Sequence, residues 1–393
     1  MLALLVGLAG LAWLGMAWFR GGFWRADQVL PAAVRTLRAW PSVAVLVPAR
    51  NEAETLPQTL PSLGCQDYPG ALAIWVIDDQ SDDETASIIQ SIAQTSRHPV
   101  YLLAGVPLPT GWTGKLWALE QGWQAIQSQG ERYQYVLLTD ADICHAPDGL
   151  RRLVSKAETE DLGLVSWMVK LRCVSWWDRL LLPAFVFFFQ KLYPFPWVND
   201  SKRPTAAAAG GCILLRSEIL RRLGGFASLR NALIDDCTLA QRVKGLGFSL
   251  WLGLTDQTVS VRRYGSLASI WQMVTRTAFT QLQYSPWRLL GTVLGMSLVY
   301  LGPPVGSLWG GLTGQWLWAA LALATWGLMA ALYAPTLRWY NLPWHWGFTL
   351  PLAAALYTLM TLDSARRHWQ GKGSAWKGRV YPKGSSGLGA AAD

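Results

Sequence analysis

The hydrophobic positions of the chain follow two patterns, and each predicts a different kind of structure. Between residues 41 and 265, short apolar runs alternate with stretches of helical periodicity. Buried parallel strands give such runs, and the helices that connect them cover both faces of the sheet. This pattern predicts an α/β domain with a mostly parallel sheet. The predicted strands are 43–47, 72–77, 100–103 and 135–138, and the predicted helices lie near 52–64, 82–94 and 114–128.

The second pattern consists of long apolar segments at both ends of the chain. Residues 1–19 carry no charge, and apolar blocks recur at 289–312, 316–334 and 344–362 with Trp and Tyr at their margins. A helix needs about 20 apolar residues to cross a bilayer. We therefore predict one N-terminal and about three C-terminal transmembrane helices, with a cleaved signal peptide as the alternative for the first. The prolines of "LGPPVG", 301–306, make the first C-terminal block a candidate re-entrant segment.

The segment between the globular region and the C-terminal blocks has the spacing of an amphipathic helix, which could pack in a core or lie on the bilayer. These patterns together predict the domain limits of the chain. The predicted parts are an N-terminal anchor at 1–20, a globular domain at 41–265, an interfacial helix at 266–286, a transmembrane region at 287–363 and a basic tail at 364–393.

Composition and charge favour a membrane over nucleic acid. Only 15% of the residues are charged, against about 25% in soluble domains, and the net charge of +9 is thinly spread. Such a charge fits an anionic lipid surface better than nucleic acid. The five cysteines contain no C-x-x-C pair and fit reduced core residues. The positive-inside bias puts the globular domain in the cytoplasm, because four arginines follow the first span: Arg20, Arg25, Arg35 and Arg38.

Acidic residues follow three of the predicted strands, in "PARNE" (48–52), "DDQSDD" (78–83) and "TDAD" (139–142). Each motif alone could be only a turn with a helix cap. The ends of parallel strands meet at one edge of a sheet, however, and carboxylates collected there need a cation or a ligand. In an extended chain, Asp140 and Asp142 would point the same way and share one Mg²⁺ or Mn²⁺ that holds a diphosphate.

Three later motifs could serve the same edge. Lys115 opens a predicted helix and is either a phosphate ligand or a solvated lysine. The small-residue strand predicted at 206–215 contains Gly210 and Gly211, which would allow a ligand or another backbone to approach. An acidic pair in "ALIDDCTLAQRV", 232–243, could cap a helix or supply a general base. No P-loop and no G-x-G-x-x-G motif is present, which disfavours ordinary ATP hydrolysis and a dinucleotide site.

The ordered motifs "VLVPARNEAETL", "VIDDQSDDET", "GWTGKLWAL", "TDAD" and "LIDDCTLA" resemble those of family 2 glycosyltransferases with the GT-A fold. With "FVFFFQKLYPFPWVND" and "RTAFTQLQYSP", the whole chain is similar to the hopene-associated glycosyltransferases of bacterial hopanoid gene clusters. The resemblance implies a metal-dependent, inverting transferase of the bacterial inner membrane. It would move a hexose-like sugar from a nucleotide sugar, expected to be a UDP-sugar, to a lipid acceptor, with no nucleic-acid partner.

The resemblance also implies a role for individual residues. Asp236 would be the catalytic base, and Asp140 and Asp142 would hold the metal. The Q-x-x-R-W motif of processive members is absent, because Arg276 follows Gln272 at the wrong spacing and precedes Thr277. The remaining assignments are nucleotide-sugar binding for Pro48, Arg50, Glu52, Asp79, Lys115 and Asp140, and the acceptor or diphosphate side for Gly210, Gly211, Asp235 and Arg276.

Two alternatives stay open at this point. The first is a catalytically silent membrane scaffold or lipid carrier with the same fold, and the second is a processive polysaccharide synthase. The residues themselves do not distinguish a hopanoid acceptor from ceramide, diacylglycerol, a carotenoid acid or polyprenyl phosphate.

Overall fold

The computed structural model describes residues 2–30, 35–130, 133–230, 232–371, 375–376 and 379–380. The chain divides into two compact units. We call them the helical unit, formed by 1–28, 173–197 and 263–372, and the sheet unit, formed by 29–172, 198–262 and 373–393. The segment 173–197, which the predicted limits placed inside the globular domain, therefore belongs with the apolar helices. The predicted limits themselves stay predictions.

The described strands are short, as expected for a sheet covered by helices. Strands β1 to β4 agree with the four predicted strands to within two residues. The strands are β1 Val43–Ala49, β2 Leu72–Asp78, β3 Val100–Ala104, β4 Tyr135–Thr139, β5 Ile143–Cys144, β6 Leu162–Lys170, β7 Cys212–Arg216, β8 Ser249–Ser260, β9 Ala375–Trp376 and β10 Arg379–Val380.

The described α-helices fall into both units. They are α1 Leu2–Phe19, α2 Leu56–Gly64, α3 Thr85–Thr95, α4 Gly114–Ser128, α5 Gly149–Thr159, α6 Trp176–Leu192, α7 Phe195–Val198, α8 Ser217–Leu223, α9 Asp235–Gly245, α10 Leu267–Thr275, α11 Ala278–Gln281, α12 Pro286–Met296, α13 Gly302–Leu312, α14 Trp316–Trp339 and α15 Leu350–Trp369.

The sheet unit contains an eight-stranded sheet in the order β3-β2-β1-β4-β7-β6-β8-β5. Helices cover both faces of this sheet. Successive side chains of a strand point to opposite faces, so neighbouring residues of β1 contact different helices. Val45 of β1 lies in one core cluster with Leu56 and Leu60 of α2. Leu46 faces the other side of the sheet, where its side chain packs against Gly122 of α4. The predicted α/β fold with helices on both faces is confirmed.

The sheet is mixed, with parallel and antiparallel pairs. Strands β3, β2, β1 and β4 are mutually parallel, whereas β7 runs antiparallel between β4 and β6. This reversal matters for the site, because the first residue of β7 pairs with the last residue of β4, Cys212 with Thr139. The residues before β7 thus meet the residues after β4. The predicted strand at 206–215 begins only at Cys212, so Gly210 and Gly211 belong to the preceding turn.

The helical unit contains three helices that are long and apolar enough to cross a membrane. They run from Pro286 to Leu312, Trp316 to Trp339 and Trp344 to Trp369, and only 22%, 28% and 44% of their most apolar windows are buried within the protein. This exposed apolar surface suits a lipid environment. The three predicted C-terminal helices are confirmed. The N-terminal helix α1 is apolar but shorter, and its role as an anchor stays a prediction.

Two local features of the helical unit differ from the simplest expectation. Pro303 and Pro304 lie in the first turn of α13, after a π-helical turn at Ser297–Leu301, so the helix continues through "LGPPVG". The amphipathic segment 266–286 is divided into α10 and α11. Ser364 bridges this break, because its hydroxyl donates to Thr275 O at 2.6 Å and accepts from Phe279 N at 3.1 Å.

Candidate active site

The loops that follow β1 and β2 are fastened to each other. Asn51 adopts a left-handed backbone conformation with φ of 50°. Its N–H donates to Ser81 Oγ at 3.0 Å, and its side-chain oxygen accepts from Asp82 N at 2.9 Å. Arg50 donates to the carbonyl oxygens of Asp79 and Gln80. The structure therefore brings together the two predicted nucleotide-binding loops, with Asp79 completely buried between them.

Lys115 links the ends of several elements. It is the second residue of α4, and its Nζ lies 2.7 Å from Asp140 Oδ1 and 3.9 Å from Asp235 Oδ2. Asp140 follows β4 and Asp235 begins α9, so two predicted acids share this one ammonium. Burial lowers the pKa of Lys115, but the nearby carboxylates outweigh it and hold that pKa above its ordinary value. Lys115 therefore remains charged across the physiological range.

Asp236 is held by backbone donors. Its Oδ2 accepts from Gly210 N at 2.9 Å, and its Oδ1 accepts from Cys237 N at 2.7 Å. A Cβ at Gly210 would lie 3.2 Å from Asp236 Oδ2 and 3.3 Å from Lys115 Nζ, so only glycine leaves both groups undisturbed. Gly211 is instead close to Val169, which is a packing contact.

The pKa of Asp236 is raised to about 6. Burial is the largest cause, the negative charge of Asp235 adds to it, and Lys115 opposes it. A carboxylate with a pKa near neutrality can both lose and accept a proton under physiological conditions, which suits a general base. The interpretation of "LIDDC" as more than a helix cap therefore gains physical support.

Asp142 contacts a different cation. The chain turns at Asp140, where Ile143 N donates to Asp140 O at 3.2 Å, so the expectation of an extended "DAD" segment was wrong. Asp142 Oδ2 accepts from Ser260 Oγ at 3.1 Å and lies 3.2 Å from Arg262 Nε. Arg262 also lies 3.7 Å from a carboxylate oxygen of Glu52. Sequence reasoning missed Arg262, which joins two of the predicted site residues.

Sequence reasoning also missed a buried chain of hydrogen bonds at the end of β4, next to Asp140. Thr139 donates its hydroxyl proton to Gly211 O at 2.9 Å, so its oxygen accepts from His145 Nε2 at 2.8 Å. Burial lowers the pKa of His145 to about 4, which keeps the ring neutral at physiological pH. These hydrogen bonds hold the end of β4 against the turn at Gly210 and Gly211, which also binds Asp236. Only the proximity of "TDAD" and "ICH" in the sequence could have indicated it.

The site has a partial fit for a divalent metal ion. Among the described residues, no group of three or more His, Cys, Asp or Glu side chains could hold one. Asp140 and Asp142 are hard oxygen ligands, and Mg²⁺ is commonly held by one or two carboxylates together with substrate phosphates. The residues therefore fit an ion that is bound jointly with a diphosphate, and fit poorly an ion that the protein holds by itself.

A small pocket of about 10 Å³, enough for one water molecule, adjoins these groups. Arg276 follows α10 in the helical unit, and its predicted role stays untested. The five cysteines are free thiols, but only Cys212 and Cys237 are buried and Cys65 is exposed, so the expectation that all five are core residues was wrong. The pocket is lined by Pro48, Lys115, Leu116, Leu119, Leu138, Thr139, Gly210, Ile213, Phe226, Leu229, Asp235, Asp236 and Leu239.

Comparisons with known proteins give a matching family and a related fold. The model of Glycosyl transferase family 21 matches residues 8–382. A solved mannosyltransferase from Pyrobaculum calidifontis, in complex with GDP-Man and Mn²⁺, superposes with a TM-score of 0.58 at 22% identity over 91% of this chain and 99% of that one. This likeness shows the GT-A fold.

Curated relatives match shorter stretches. The probable glycosyltransferase YdaM of Bacillus subtilis is 27% identical over 57% of this chain and 51% of its own length. An undecaprenyl-phosphate 4-deoxy-4-formamido-L-arabinose transferase of Pseudomonas fluorescens is 31% identical over 30% of this chain and 32% of its own length. A beta-monoglucosyldiacylglycerol synthase of Synechocystis is 28% identical over 36% of this chain and 28% of its own length. The chain thus spans about half or less of these relatives.

Proposed function

The chain belongs to glycosyl transferase family 21, and we propose that it moves a sugar from a nucleotide sugar to a lipid at the cytoplasmic face of a bacterial membrane. The observation that carries this proposal is the position of Asp236. Its carboxylate, whose pKa is raised, accepts a hydrogen bond from Gly210 N and lies near enough to Lys115 for that cation to oppose the rise in pKa. Lys115 in turn pairs with Asp140, the acid at the end of β4. This arrangement supports a proton acceptor beside a binding site for a negatively charged donor.

The proposed reaction is one displacement with inversion at the anomeric carbon. Asp236 accepts the proton of the acceptor hydroxyl while the oxygen of that hydroxyl forms a bond to the anomeric carbon. The bond between that carbon and the diphosphate breaks, and the electron pair leaves with the nucleoside diphosphate. In this proposal, Lys115 offsets the charge that develops on the diphosphate. A divalent ion held by Asp140 and Asp142 would supply further positive charge to the same group.

Lipid as the acceptor class rests on the helical unit and on the relatives. Exposed apolar helices indicate that the protein lies in a membrane. Two relatives carry names that specify lipid-linked acceptors, undecaprenyl phosphate and diacylglycerol. A hopanoid acceptor and a UDP-sugar donor are the finer parts of the proposal and rest on the motif resemblance. The cytoplasmic orientation rests on the arginines that follow residue 19.

Lipid products provide the direct test. Membranes that contain the full-length protein should convert a labelled UDP-sugar or GDP-sugar and a lipid extract into one glycosylated lipid and free nucleoside diphosphate, as detected by mass spectrometry. A single added sugar supports the proposal. Release of no nucleoside diphosphate from any sugar nucleotide would indicate a silent scaffold, and products with growing sugar chains would indicate a processive synthase.

Arg262 is expected to oppose binding of a divalent cation at Asp142. Its guanidinium lies 3.2 Å from that carboxylate and is partly exposed, so Arg262→Gln should tighten Mn²⁺ binding in the presence of UDP by about tenfold. Electron paramagnetic resonance of free Mn²⁺ would measure this change. Arg263→Gln removes the same charge from the neighbouring exposed arginine and should leave the affinity unchanged. Weaker Mn²⁺ binding in Arg262→Gln would contradict the expectation.

A further inference from the structure

The turn before β7 carries a backbone donor that contacts the candidate base. Cys212 N donates to Ala209 O at 3.2 Å, which closes a turn with two glycines at its centre. From this turn, Gly210 N donates to Asp236 Oδ2 at 2.9 Å. Because glycine has wide conformational freedom, the direction of this N–H depends on the groups that hold the turn.

A serine on β6 holds one side of the turn. Ser166 is completely buried, and its Oγ accepts from Ala209 N at 2.9 Å and donates to Cys212 O at 3.0 Å. The hydroxyl thus binds the backbone at the first and the last residue of the turn. Since Ser166 pairs with Ile213 of β7, it ties the turn to the interior of the sheet.

A threonine on β4 holds the other side. The hydroxyl of Thr139 donates to Gly211 O at 2.9 Å, and its oxygen accepts from His145 Nε2 at 2.8 Å. His145 is also buried, and its backbone N–H donates to Ser62 Oγ at 3.0 Å. Burial lowers the pKa of the imidazole to about 4, so the ring stays neutral and adds no charge to the site. The imidazole therefore directs the threonine hydroxyl towards the turn.

The hydrogen bond from the turn affects the ionisation of Asp236. Burial and then the charge of Asp235 raise the pKa of Asp236, whereas Lys115 and the N–H groups of Cys237 and Gly210 lower it. A hydrogen bond from a backbone N–H to a carboxylate is stronger than one between neutral groups. A displacement of the turn would thus change both the orientation and the basicity of the carboxylate.

We propose that Thr139, His145 and Ser166 are positioning residues for the proton acceptor. Their hydrogen bonds to the turn at 209–212, which we call the turn clamp, keep Gly210 N directed at Asp236. The clamp thereby fixes the orientation in which the carboxylate meets the acceptor hydroxyl. This inference rests on the proposed function, because it assigns the clamp to the same proton transfer. Hydroxyls that only satisfied buried backbone groups would add stability and leave the ionisation of the base unchanged.

The titration of Asp236 tests the turn clamp without any substrate. In the purified full-length protein in a neutral detergent, carbon-13 in the side-chain carboxyl of aspartate gives NMR signals that report protonation, and Asp236→Asn identifies the relevant signal. Thr139→Val removes the hydroxyl and keeps the shape of the side chain. The titration midpoint of Asp236 should then rise by at least about half a pH unit, because the hydrogen bond that favours the charged form is weakened. Thr139→Ser retains the hydroxyl and should titrate like the unaltered protein.

Thr258→Val is the matched control. Thr258 is a buried threonine of β8 in the same sheet, and its hydroxyl has no hydrogen-bond partner among the described residues. This variant should leave the titration of Asp236 unchanged. Sugar transfer gives a second readout: Thr139→Val should lower kcat about tenfold and keep the KM for the nucleotide sugar within about threefold, because the donor site is intact.

An unchanged titration midpoint in Thr139→Val, or an equal rise in Thr258→Val, would overturn the proposal. A lower kcat in Thr139→Val without a rise in the midpoint would also overturn it, since the hydroxyl would then have only a structural role. Should Thr139→Val fail to fold, judged by its thermal unfolding, Ser166→Ala decides: the clamp requires the same rise in the midpoint. If the unaltered protein transfers no sugar, the proposed function fails, and the titration still decides whether the clamp acts on Asp236.

Discussion

Asp236→Asn is expected to lower kcat by about 10²- to 10⁴-fold, the range that a positioned general base contributes. The amide is nearly isosteric and can still accept one of the two hydrogen bonds that Gly210 N and Cys237 N donate to the carboxylate. Nucleotide binding should therefore remain within about threefold, and the loss should appear in the chemical step. Initial rates of nucleoside diphosphate release, with calorimetric binding of the nucleotide, measure both quantities.

The same residue sets an expected pH dependence. Only the ionised carboxylate accepts a proton, and the pKa of Asp236 is about 6. The kcat/KM of the unaltered protein, which reports ionisation of the ligand-free protein, should rise with pH up to about 6 and level off above it. Asp256→Asn, an exposed acid on β8, is the matched control and should retain both the rate and this profile. A rate in Asp236→Asn within tenfold of the unaltered protein would remove Asp236 from the mechanism.

The first four strands were predictable because their apolar runs end abruptly. In β1, seven consecutive buried residues precede Arg50, and in β4 the buried run stops at Asp140. The convergence of the loops after them followed from parallel topology alone. The approach of Asp235 and Asp236 to the loop after β4 could not be predicted from parallel topology. It depends on the antiparallel direction of β7, which places Gly210 beside the end of β4.

Arg262 shows why other parts of the site escaped prediction. It follows β8, whose residues Ser249–Ser260 were not assigned to a strand, because polar residues near its end interrupt the apolar pattern. Asp142 and Ser260 are distant in sequence, and only the short antiparallel pairing of β5 with β8 brings them together. The turn at Asp140 likewise depends on tertiary contacts. The sequence analysis assumed an extended segment instead, and it therefore predicted that the side chains of Asp140 and Asp142 point the same way.

Lys115→Met is expected to have the second large effect. The variant would leave Asp140, Asp235 and Asp236 near one another without the ammonium that lies 2.7 Å from Asp140. Removing the cation from this partly exposed network should lower the unfolding midpoint, although by less than the loss of one partner from a fully buried ion pair would. Lys115 also opposes the rise in the pKa of Asp236, and its loss should raise that pKa further. The base would then be less ionised at pH 7, and kcat/KM should fall by at least about 10²-fold.

The pH profile separates this electrostatic role from a loss of stability. In Lys115→Met, the acidic limb of the rate profile should move to higher pH, because the carboxylate of Asp236 needs a higher pH to ionise without the neighbouring cation. If the substitution only destabilised the protein, the maximum rate would fall, but the acidic limb of the rate profile would stay near pH 6. Lys202→Met, which removes an exposed lysine from the sheet unit, should change neither amplitude nor limb. An unshifted limb in Lys115→Met would show that Lys115 does not act on the base.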